Sequence, residues 1–163
     1  MAPIPEATAS AFVEVAHRIV WCSVATVDAR SRPRSRVLHP LWKYVDGRLT
    51  GVIATGPTPI KVSHLATSPY LSCSYWDQQQ DVATAECRAT WATDDETCER
   101  VWNEFVNAPE PVGYDPAIVP PWSEGPTSDA FAVLQLEPWL VRVFPGTLLL
   151  EGTGEVLTWS DNA

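Results

Sequence analysis

Residues 30–40 read Arg-Ser-Arg-Pro-Arg-Ser-Arg-Val-Leu-His-Pro, with an arginine at every second position from Arg30 to Arg36. Four of the nine arginines of this 163-residue chain lie in that run, although the net charge is −9 and there are only two lysines. In a β-strand, side chains at i and i+2 share a face. With Pro33–Leu41 extended, Arg34 and Arg36 point the same way. Their guanidinium forks then suit bidentate capture of a phosphate. The same pattern also fits an exposed basic edge strand, which deters edge-to-edge pairing.

Working outward, Trp21–Asp28 is a β-rich run upstream and Asp28–Ser31 a polar turn. Before it, Phe12, Val15, Ala16 and Ile19 follow helical spacing, predicting an amphipathic helix over residues 6–19. Downstream, Asp46-Gly47 is a hairpin signal between Trp42–Val45 and Arg48–Ala54. Thr58 and Pro59 suit the cap and first position of a helix that stops before Pro69. Tyr70–Trp76 and Val82–Ala92 read as strands around a polar turn. Thr93-Asp-Asp-Glu96 has the form of a capping box, and Cys98, Val101, Trp102 and Phe105 make the core face of the helix after it. Residues 108–128 form a Pro-rich loop, of a length often functional or interfacial. Ala130–Leu136 and Trp139–Phe144 read as two strands joined near Pro138, and Leu148–Trp159 as a last strand or arm. Many strands with few helices predict a mainly β fold, a closed antiparallel barrel with flanking helices.

One domain spanning 1–163 is expected at this length. The acidic balance argues against a nucleic-acid partner and against an anionic membrane surface. Cys22, Cys73, Cys87 and Cys98 are irregularly spaced in apolar runs, with no Cys-x-x-Cys pair. Buried free thiols in a reducing compartment follow, and no metal site. The first residues carry no basic region ahead of an apolar core, so a cytoplasmic location is expected.

No motif of a hydrolase, metalloprotease, nucleotide triphosphatase or dinucleotide-binding enzyme is present, and no catalytic residue is assigned. Among the histidines, only His39, beside the arginine run, is placed near a site. The second cationic element is Lys61, early in the helix that follows Thr55-Gly-Pro-Thr-Pro59. Helix N-termini favour anions. An arginine strand and a first-turn lysine together make a phosphate clamp. Trp42, Tyr75 and Trp122 are candidate walls of an aromatic pocket.

The stretch from Trp21 to Glu96 resembles the pyridoxamine 5′-phosphate oxidase-related superfamily of FMN- and F420-binding split barrels, nearer the general-stress-protein type. The resemblance is carried by Ser23-Val-Ala-Thr-Val-Asp, Arg34-Ser-Arg-Val-Leu-His39, Asp46-Gly-Arg-Leu, Ala54-Thr55, Lys61-x-x-His-Leu65, Ser68-Pro-Tyr-Leu-Ser-Cys-Ser-Tyr-Trp76 and Ala85-Glu-Cys-Arg-Ala89. It implies an antiparallel split β-barrel of Greek-key type. It implies that Arg36 and Lys61, with Arg34 beside them, hold a cofactor phosphate, with Ala54, Thr55 and Ile60 around it. Backbone groups of Val37, Leu38 and His39 would face the isoalloxazine ring. Trp139 and residues around Gln80 would reach the site from a second subunit.

The resemblance thus implies a homodimeric oxidoreductase using FMN, or alternatively coenzyme F420, on a small-molecule substrate. A non-enzymatic cofactor- or haem-binding split barrel is the alternative. Two departures remove pyridoxamine 5′-phosphate oxidation from what is implied. Asp81-Val82 stands where the true oxidase has a Gln after the Tyr-Trp strand, and its C-terminal arginine-containing substrate segment is missing.

Overall fold

The computed structural model describes residues 2–161; Met1 and residues 162–163, the ends of the expected 1–163 span, lie outside the described residues. The strands are β1 (Cys22–Val27), β2 (Pro33–Leu38), β3 (Pro40–Val45), β4 (Arg48–Thr55), β5 (Tyr70–Trp76), β6 (Val82–Ala92), β7 (Ala132–Phe144) and β8 (Leu157–Ser160). The helices are α1 (Glu6–Ile19), α2 (Pro59–Thr67), α3 (Asp95–Asn107) and the short α4 (Gly146–Leu150). The strands form one antiparallel sheet in the order β2-β1-β5-β6-β7-β4-β3, with β8 on β7.

The expectation of a closed barrel is corrected. No ladder joins β2 to β3 among the described residues; they are the two ends of the sheet. The strand expected over Pro33–Leu41 is in fact two, broken at His39. Pro40 has no N–H to give a ladder, and its ring restricts the residue before it. The barrel is therefore split, and His39 sits at the split.

Other boundaries differ for equally local reasons. β7 is one strand of 13 residues, not two. It runs through Pro138, where the ladder with β6 shifts register between Glu86 and Cys87. A bulge accommodates a residue that cannot donate. α3 is capped by Asp94, which accepts from the Thr97 N–H at 2.9 Å, so the expected Thr93–Glu96 box does not form. A carboxylate at that position also meets the positive end of the helix. The Asp46-Gly47 turn has positive φ at both residues (50° and 78°), the requirement of a type I′ hairpin.

The barrel interior holds Phe12, Trp42, Ile53, Tyr75 and Leu134. Phe12 of α1 meets the Trp42 ring edge-on at 5.0 Å. Burying side chains of this size contributes about 1.5–3 kcal/mol each. The Trp42 indole donates to the Tyr75 hydroxyl at 2.8 Å, so neither polar atom is stranded. The rings of Trp42 and Tyr75 are thus core. Gly51 stands opposite Trp42 in the β3–β4 ladder, and a Cβ there would lie 2.6 Å from the indole ring. A second cluster, with Val101, Phe105, Val112, Trp122 and Phe131, lies beneath the Pro-rich loop. All four cysteines are free and buried.

Candidate functional site

β2 pairs with β1 so that Val24 faces Arg36 and Thr26 faces Arg34. α2 packs against β1, and only three residues, 56–58, separate its first turn from Thr55 at the end of β4. This topology brings residues 25 positions apart to one place. Arg36 Nη1 donates to Thr26 Oγ1 at 2.9 Å, and Lys61 Nζ donates to Thr55 Oγ1 at 2.6 Å. Thr26, buried, also lies 2.9 Å from His64 Nδ1, so one hydroxyl serves both neighbours.

The charges are not neutralised. Among the described residues, no carboxylate forms an ion pair with Arg34, Arg36 or Lys61. Burial lowers the pKa of Lys61, and the charge of Arg36 lowers it further. Burial likewise lowers that of Arg36, with Arg34 adding to it. Half-buried like charges cost free energy unless an anion joins them. A phosphate accepting from both cations would offset that cost.

Thr55 also opens onto a groove of about 560 Å³. Its floor is Val37, Leu38, His39, Ala54 and Thr55, five of the residues expected at the site. Its roof is the Pro-rich loop, which carries Pro111, Tyr114, Ile118, Val119 and Trp122 and contains two 3₁₀ turns, Pro116–Ile118 and Pro120–Trp122. The Trp122 indole is tied to the Ala130 carbonyl at 2.9 Å. Val20, at the end of α1, has φ 69° and ψ −62°, and the Trp21 N–H bonds back to the Ile19 carbonyl at 2.8 Å. This is the strained γ-turn, rare for a β-branched residue. It sets the exposed Trp21 ring at the rim of the groove.

His39 stacks on Tyr114 (centroids 5.1 Å apart, 27° between planes) and meets Phe105 edge-on at 5.4 Å. Its Nε2 is shut off from water and makes no hydrogen bond of good geometry. Burial pushes its pKa down to about 4, the charge of His17 adds to this, and the Val112 carbonyl opposes it. His39 is therefore neutral at pH 7.

The remaining expected residues fall elsewhere on the chain. Arg34 and Ile60 line a shallow recess with Asp28 and Arg32, beside the clamp. Gln80, in the β5–β6 turn, accepts from the Trp76 indole at 3.2 Å. Trp139 lies on the outer sheet face, in a recess with Thr26, Tyr70 and Ser72. Neither Gln80 nor Trp139 reaches the groove of its own chain. Sequence reading missed Thr26, Trp21 and Tyr114. Thr26 carried a legible signal, because it alternates with Val24 on the face of β1 that becomes buried. A larger recess of about 640 Å³ lies between α1, β3 and α3. Its cations, Lys43 and Arg100, both pair with the one carboxylate of Glu104, at 2.9 and 2.8 Å, so each has an ion-pair partner, unlike Arg36 and Lys61.

No protein-family model matches the chain, and no curated protein matches its sequence. Solved structures do match its fold. A Clostridium acetobutylicum protein related to general stress protein 26, of the pyridoxinephosphate oxidase family, superposes with a TM-score of 0.71 at 12% identity, covering 96% of each chain. A pyridoxamine 5′-phosphate oxidase-related, FMN-binding protein of Nostoc punctiforme gives 0.61 at 16% identity, covering 100% of this chain and 98% of that one. A protein described as an F420 reductase gives 0.54 at 13% identity, covering 83% of this chain and 95% of that one. With its sheet open between β2 and β3, the chain has the split-barrel fold of the pyridoxamine 5′-phosphate oxidase-related proteins.

Proposed function

We propose that this chain is a homodimeric oxidoreductase that binds FMN, with coenzyme F420 as the alternative occupant, and acts on a small molecule. The observation that carries the reading is the pair Arg36 and Lys61, left without carboxylate partners, with Lys61 held by Thr55, which itself lines a groove of about 560 Å³. The donor set fits a phosphate: a guanidinium, an ammonium and two threonine hydroxyls. Arg36 and Lys61 would hold it, with Arg34 at the mouth. β2 is an edge strand, so part of its backbone polar groups at 37–39 is free to meet a ring. The bound cofactor supplies the electron transfer, while the protein supplies binding, orientation and exclusion of water.

The second subunit is proposed from the outer sheet face. Register places Ser23, Val37 and Ser74 in one row and Ala25, Ser35 and Ser72 in the next. None of these six is charged, and exposed Tyr70, Trp76 and Trp139 flank them. Such a face calls for cover. Pairing two chains there would bury Trp139, beside Thr26 of the clamp. The absorption spectrum of the purified protein tests the cofactor reading. A flavin or deazaflavin band is expected. A Soret band would replace the reading with haem binding, which needs an open imidazole; His39 Nε2 is enclosed and His64 is buried with Nδ1 at Thr26.

A further inference from the structure

The loop side of the groove differs in chemistry from the clamp end. Among its described lining residues there is no carboxylate. Its single cation, Arg18, is taken by Asp77 and by Asp81, the latter at 2.6 Å. His39 is enclosed in a stack of rings. The Thr55 hydroxyl is engaged by Lys61. Besides the enclosed His39 Nε2, two side-chain polar groups of the lining make no hydrogen bond among the described residues: the Tyr114 hydroxyl and the Trp21 indole N–H. Both are donors. Trp21 is 62% exposed at the rim, whereas Tyr114 is held in place. Its ring packs against both His39 and Phe105 in a three-ring cluster, and its N–H bonds to the Phe105 carbonyl at 3.1 Å.

We propose that this side of the groove seats a neutral, planar aromatic molecule bearing a carbonyl-type acceptor, and that Tyr114 selects it by donating a hydrogen bond to that acceptor. Aromatic walls favour a flat ring by stacking and area burial. The absence of a free cation among the lining residues leaves an anionic ligand uncompensated. A donor without a protein partner gains most from a ligand that accepts. Burial pushes the phenol up to about 12, so the hydroxyl keeps its proton at any working pH. The inference rests on the flavin reading for the reaction, but not for the binding.

Calorimetric titration of the protein, after incubation with FMN, tests it with three probes sharing one ring. These are 2-acetonaphthone (neutral, with a carbonyl), 2-ethylnaphthalene (neutral, without one) and 2-naphthoate (anionic). The ketone should bind about threefold to tenfold more tightly than the hydrocarbon, as one hydrogen bond supplies, and more tightly than the carboxylate. Tyr114→Phe should abolish the ketone's advantage while flavin uptake, read by absorbance, stays the same. Tightest binding of 2-naphthoate, or a ketone advantage that survives in Tyr114→Phe, would overturn the proposal. A protein that takes up no flavin yet ranks the probes as expected upholds the seat and removes the cofactor reading alone.

Discussion

Lys61 Nζ lies 2.6 Å from Thr55 Oγ1, so the last residue of β4 holds the ammonium of the first turn of α2 in place. The hydroxyl orients the charge but does not neutralise it. Arg36 and Thr26 repeat the arrangement on the facing strand. The proposed clamp would thus be preorganised, since each cation is steadied by a neutral partner and pairs with no carboxylate among the described residues.

Arg36→Ala should weaken FMN binding by about 1.5–3 kcal/mol, the worth of one charge-assisted contact to phosphate. That is roughly tenfold to a hundredfold in dissociation constant. Fluorescence titration of the apo-protein measures it. Unchanged affinity would remove Arg36 from the clamp.

Lys61→Gln should weaken binding to a similar degree. With both side chains on one phosphate, the double variant should lose less than the sum of the single losses. A strictly additive pair would place Lys61 on a different part of the ligand.

The protein should sediment as a dimer at micromolar concentration, and Tyr70→Asp, on the outer face, should shift it towards monomer and lower cofactor affinity with it. A monomer that binds flavin tightly would contradict a site shared between subunits.

Stability should fall as pH drops from about 6.5 towards 4. His39 has its folded pKa held at about 4, below the ordinary value of 6.5, by burial first. Between these values the unfolded chain takes up a proton that the folded chain does not, so acid favours unfolding. His17, also lowered by burial, acts in the same direction. His39→Phe should therefore lose less stability than the wild type between pH 7 and pH 5, measured by urea midpoints. Equal losses would mean that His39 titrates normally in the fold.

The elements around this site were legible where local rules decide them. Alternation and periodicity place α1, β5 and β6, and Asp46-Gly47 announces its own turn. The approach of Arg36 to Lys61 is a tertiary fact: charge and helix-start chemistry single out each residue, but only the order of motifs in the resemblance ties the two to one phosphate. The groove's roof was not legible. Residues 108–128 have no period, and their docking depends on the buried cluster around Phe105 and Trp122. Strand alternation also cannot tell the inside of a barrel from the wall of a groove. That is why Trp42 and Tyr75 read as pocket residues and are core, while Trp122 does line the groove.

The most direct test of the account compares FMN with riboflavin, which has the same ring and no phosphate. Titrated into the apo-protein, FMN should bind at least about tenfold more tightly, the share expected of charge-assisted contacts to the phosphate. That difference should shrink in the Arg36→Ala, Lys61→Gln double variant. Equal affinity for the two, or binding of neither, would contradict a phosphate clamp built by Arg36 and Lys61.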